Sequence, residues 1–193
     1  TWVALGRLDR VWEDGEAELR LGKRLDNGTV LASGLFYHGL VHFQRGELGR
    51  AQELLAAAMQ HIGGSGSPPL KMMASSMQAA VGCRAGALAA AQQHLTLALG
   101  LLCRVQPPTM HYLEGYAAAV DAALALRQAA STLAERAQTE RQLGRALRLL
   151  AWFAVKFPVG RPRVLIGLGR YLWLHGRHRA ALRSLSRGLA DAT

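Results

Sequence analysis

Proline is scarce in this sequence, and its six copies are confined to positions 68–69, 107–108, 158 and 162. The segments between them hold no helix breaker except glycine, which favours long helices. Two cysteines, Cys83 and Cys103, are too few for a disulfide framework in a chain of 193 residues. Both fall in expected helices and read as small core residues. No run approaches the roughly 18 apolar residues of a membrane-spanning helix. The N-terminal stretch is rich in charge and lacks the apolar stretch of a signal peptide. A cytoplasmic setting without membrane association is therefore expected. Catalytic signatures are missing too: there is no phosphate-binding Gly-x-x-x-x-Gly-Lys loop, no Gly-x-Ser-x-Gly elbow, no His-Glu-x-x-His and no Cys-x-x-Cys. The expectation is a non-enzymatic segment without a cofactor.

What is abundant is alanine and leucine, both strong helix formers, in a chain that is 50% hydrophobic. All-α is the expected class. Positive charge is in excess, at +10 net, and arginine carries nearly all of it, since Lys23, Lys71 and Lys156 are the only lysines. The charge is uneven. Residues 1–26 are close to balance, whereas residues 157–193 hold seven arginines against the single acid Asp191. The chain begins at Thr1 without an initiator Met and ends where a helix fades, which suggests an excerpt from a longer polypeptide.

One pattern occurs three times. Around Gly46, Gly86 and Gly176 a small residue stands seven places before the glycine (Gly39, Ala79, Gly169). An alanine follows five places after it (Ala51, Ala91, Ala181), a leucine nine after (Leu55, Leu95, Leu185), and a small residue twelve after (Ala58, Ala98, Gly188). Each glycine reads as the turn of a helical hairpin, with the small residues letting the two helices approach. The 40 residues from Gly46 to Gly86 and the 90 from Gly86 to Gly176 leave room for one more unit. Its second helix would start at Thr132-x-x-Glu135, the pattern of a capping box. The expected units are 31–62, 70–103, 109–157 and 161–192, separated by "GGSGSPP" (63–69), "VQPP" (105–108) and "PVGRP" (158–162). Residues 1–30 form an N-terminal helical segment, possible as the end of a preceding repeat.

This pattern resembles the tetratricopeptide repeat (TPR), in a degenerate form whose period is 40–45 residues and whose first-helix tryptophan slot holds Leu35, Ser75 and Leu165. The resemblance covers residues 31–193. It implies an α-solenoid of about four hairpins in a right-handed superhelix, with a partner bound on the concave face made by the first helices. Loose arrays of this kind look like the helical-repeat regions of large bacterial signalling proteins, beside an ATPase, cyclase or kinase region. A protein or peptide partner, or a flanking domain of the same chain, is implied. Carried onto this sequence, the family's inward slots include Phe36, Leu40 and Phe43, then Met73, then Tyr112 and Tyr116, and finally Arg163, Ile166, Arg170 and Trp173. Such a lining suits an apolar segment bearing an acidic group. The other reading is that these aromatics pack against a neighbouring unit or a flanking domain.

Arg179, Arg183 and Arg187 recur at four-residue steps on the last helix, opposite Leu182, Leu185 and Leu189. They read either as a patch for nucleic acid or another polyanion or as a solvated face. His38 and His42 share the spacing of a metal pair but lack a third ligand, so no metal is expected; His175 and His178 read as a polar turn. The carboxylates of "WEDGEAE", residues 12–18, read as a helix start rather than an acid/base site.

Overall fold

The structure, a computed structural model, describes residues 6–63, 67–104 and 109–192. The described residues are all-α and hold nine helices, α1 (Leu8–Leu25), α2 (Gly28–Gln44), α3 (Leu48–Ile62), α4 (Pro68–Arg84), α5 (Leu88–Leu102), α6 (Leu113–Ala129), α7 (Leu133–Lys156), α8 (Arg161–Leu174) and α9 (His178–Ala190), with 3₁₀ turns at Met110–Tyr112 and Pro158–Gly160. No strand occurs among them. Among the described residues no helix is long and apolar enough to cross a membrane.

The three turn glycines adopt one geometry. Gly46, Gly86 and Gly176 have φ of 82°, 79° and 70°. That left-handed region costs a side chain steric energy and glycine almost none. In each turn the glycine N–H donates three residues back, to the carbonyls of Phe43, Cys83 and Trp173. The following N–H donates five back, to His42, Gly82 and Leu172. This is the Schellman ending of a helix, met three times at the spacing the sequence repeats. The alanine five places on is fully buried in each hairpin (Ala51, Ala91, Ala181).

The remaining hairpin, α6–α7, turns differently. Ala130 and Thr132 are extended, and α7 starts on a complete capping box. The Glu135 N–H donates to Thr132 Oγ1 at 3.1 Å, and Glu135 Oε2 accepts from the N–H groups of Thr132 and Ser131. Those bonds pull the Glu135 carboxyl down to about 2. Proline marks starts, not interiors: Pro68 and Pro69 open α4 behind the Ser67 N-cap, and Pro162 opens α8. Two of the expected linkers are thus shorter than their proline content suggested. "VQPP" at 105–108, like residues 64–66, lies outside the described residues.

The pairs α2–α3, α4–α5, α6–α7 and α8–α9 pack as hairpins and stand side by side, with α2, α4, α6 and α8 forming one row. The buried core is continuous from α1 to α7, and Val164, Tyr171 and Leu174 of α8 pack against it half-buried. α1 packs along α2 as closely as a hairpin partner. Gly15 and Gly34 make this possible, because a Cβ on Gly34 would lie 2.8 Å from the Gly15 carbonyl oxygen. The carboxylate run 12–18 sits in the body of α1, not at its start, since the helix begins at Leu8 and buries Val11 and Gly15. Only Asp9 stands in the first turn, where a carboxylate favours the helix dipole.

Candidate partner-binding site

The row of first helices encloses a cleft of about 330 Å³. Phe43 and Gln44 come from α2, Ala80, Cys83 and Arg84 from α4, Asp121 and Ala125 from α6, and Arg163 and Arg170 from α8. Every one of the four hairpins contributes through its first helix. The cleft floor is apolar and its rim is cationic.

Two of the three arginines are paired. Arg170 binds Asp121. Arg163 Nη2 lies 3.3 Å from Oε2 of Glu114, a carboxylate that is 5% exposed. Burial pushes the Glu114 carboxyl up, and the Arg163 charge opposes that. Arg84 has no acidic partner among the described residues. Its guanidinium lies 4.5 Å from the Phe43 ring centroid and donates from Nη1 to the Phe43 carbonyl at 3.1 Å. It is held in place at the rim with donors to spare. Cys83 Sγ donates to the Ala122 carbonyl, and burial pushes its thiol up to about 11. That makes it a packing group rather than a nucleophile.

Of the residues expected to line this face, Phe43, Arg163 and Arg170 do so. Tyr112 is half-buried in the 3₁₀ turn before α6. Phe36, Leu40, Met73 and Tyr116 do not line it: they are 0%, 1%, 3% and 1% exposed. The correction has a packing cause. Small residues let α4 and α6 come into direct contact, so that a Cβ on Gly115 would lie 2.9 Å from the Met73 side chain. Side chains in those slots are consumed between helices. Tyr116 packs on Phe153, with centroids 4.9 Å apart and the rings tilted by 38°. Ile166 is half-buried over Gly188, and Trp173 lies 51% exposed against His178.

Arg84, Asp121 and Glu114 escaped the sequence reading. Asp121 carried a signal, being the one acid in the apolar run "GYAAAVDAALAL". Arg84 stands two before a turn glycine, a slot whose direction only the stacking of hairpins decides. The arginines of α9 are exposed: Arg179 and Arg183 border an open surface with Arg177 and His178, and Arg187 follows one turn on.

The histidine pair is engaged elsewhere. His38 stacks on Trp12 at 3.9 Å, and His42 binds Glu47. His38 Nε2 lies 3.5 Å from Glu16 Oε1 but makes no hydrogen bond. Burial therefore outweighs the carboxylate and lowers the His38 pKa, with His42 adding to the effect. A lowered histidine favours folding above the ordinary histidine range and opposes it as pH falls below that range. We expect the thermal midpoint to drop between pH 7.5 and 5.5, and to drop less in His38→Gln. An equal drop in both proteins would remove His38 as the cause.

Compared with protein-family models, curated proteins and solved structures, the chain matches none.

Proposed function

We propose that this chain is a non-catalytic protein-binding module, a TPR-like right-handed array that takes a segment of a partner or of a flanking domain in its cleft. Service within a larger signalling protein, beside an ATPase, cyclase or kinase region, belongs to the same proposal. The observation that carries it is Arg84: a rim guanidinium oriented by the Phe43 ring and carbonyl, without an acidic partner among the described residues, beside apolar lining from three hairpins, Phe43, Ala80, Cys83 and Ala125. A bound segment would place an aliphatic side chain over Ala80, Cys83 and Ala125 and a carboxylate on Arg84. Guanidinium holds a carboxylate in bidentate fashion.

The test uses short peptides of leucine and glutamate, titrated calorimetrically against the intact chain. Losing a charged hydrogen bond costs about 1.5–3 kcal/mol, or roughly 10–100-fold in affinity. Arg84→Ala is expected to weaken binding by that factor with an unchanged melting temperature. Arg170→Ala should weaken it less, because that arginine already serves Asp121. Equal affinity in wild type and Arg84→Ala would refute the reading.

The exposed arginines of α9 favour a second reading, a face for nucleic acid or another polyanion. Its mark is affinity that falls linearly with the logarithm of salt concentration. Arg179→Ala with Arg183→Ala should flatten that slope and leave peptide binding intact.

A further inference from the structure

The end of the stack formed by α8 and α9 is unlike the interior of the array, although it is built on the same pattern. Counting from the turn glycine, position −3 is Phe43, Cys83 and Trp173 in the three matching hairpins. Phe43 is covered by Arg84 of the next first helix, and Cys83 meets the Ala122 carbonyl of the next first helix. The Trp173 ring meets His178 of its own hairpin and is 51% exposed. Position +13 repeats the contrast on the second helix, where Leu99 is 2% exposed and Met59 half-buried, whereas Leu189 is 69% exposed. Position +6 is Gln52, Gln92 and Leu182, so the last hairpin carries an apolar residue where the others carry a polar one. Leu182 is 56% exposed.

These residues fall together. Leu189 and Leu182 are seven apart on α9, a spacing that returns to one helical face, and Trp173 meets His178 one turn before Leu182. The opposite sides are spent. Gly167 packs on Val120 and Leu147, and Ala181, Ser184 and Gly188 face α8. Arg179 and Arg183 flank the leucines, and after Glu140 the chain has one acid, Asp191.

We infer that this end face is an interaction surface for an amphipathic α-helix of a separate, acidic partner. The helix would lie on α8 as α4 lies on α2 and α6 on α4. The interior of the array defines the shape of the occupant, because the next first helix covers position −3 there, at Phe43 and at Cys83. The arginines define its charge: carboxylates flank its apolar stripe. A second copy of this chain is a poor occupant, since a two-fold contact through this face would set one arginine stripe beside another.

The experiment uses the whole chain and three synthetic helices of about five turns. All share one leucine stripe, flanked by glutamate, glutamine or lysine. The glutamate helix is expected to bind best, at least about tenfold more tightly than the lysine helix, and to weaken as salt rises. Leu182→Glu with Leu189→Glu should abolish binding without lowering the melting temperature, since both side chains are exposed. Arg179→Glu with Arg183→Glu should reverse the preference towards the lysine helix. Binding that ignores flanking charge, or that survives the leucine changes, would overturn the proposal. So would sedimentation showing that the chain pairs with itself through these leucines.

Discussion

Phe153→Ala should destabilise the chain by about 3–5 kcal/mol, the usual cost of emptying a buried aromatic site. Phe153 is fully buried on the inner side of α7. Its ring packs between Tyr116 of α6, at 4.9 Å, and Phe157 at the end of α7, at 5.1 Å, tilted by 38° to each. Gly160, at the entrance to α8, also rests against it. Truncation therefore opens a cavity where α6, α7 and the start of α8 meet. Small residues on the first helices keep the backbones close, so the walls have little freedom to collapse. The loss should appear in the denaturant midpoint. Because the stack is a chain of neighbours, hydrogen exchange should rise first in α6–α9, with α2 and α3 less affected. A uniform rise across all helices would mean that the array unfolds as one cooperative block.

The second large effect concerns the seam between α1 and α2. Gly34→Leu is expected to cost at least the 1–3 kcal/mol typical of overpacking, and to release α1. Alanine already tests the point. A Cβ at Gly34 meets the Gly15 carbonyl at 2.8 Å and the Leu19 backbone nitrogen at 3.0 Å, and neither is the free end of a flexible side chain. Against this stands a gain of about 0.5–1 kcal/mol when glycine inside a helix becomes alanine. The clash wins, so Gly34→Ala should lower stability. Gly144→Ala in α7 is the control. Its Cβ would meet only the tip of Arg148, at 3.6 Å, and the helix-propensity gain should appear undiminished. Trp12 reports release of α1, because its stack on His38 is lost when the seam opens. Unchanged Trp12 fluorescence and stability in Gly34→Leu would show that the seam takes the larger side chain without opening.

Acid should loosen the same seam by another route. His38 is neutral where it stacks on Trp12, and protonation there requires water that the packing excludes. Gly34→Ala and low pH therefore act on one contact, and their effects should fall short of additive.

The helical class, the three glycine turns and the second helix of the third hairpin are legible in the residues alone. These are local matters. A left-handed turn needs glycine, a capping box needs Thr132 and Glu135 three apart, and a hairpin contact needs small residues at fixed distances from its turn. Each is settled within about fifteen residues of chain. The tertiary structure alone decided which side chains the first helices show and which they spend. Met73 and Tyr116 occupy the spacing of a binding stripe, yet α4 and α6 approach so closely that both are buried. Arg84 and Asp121, placed at the same seams, remain on the cleft. Exposure depends on how one hairpin leans on the next, across 40 or more residues, and the period of a single helix carries no record of that distance.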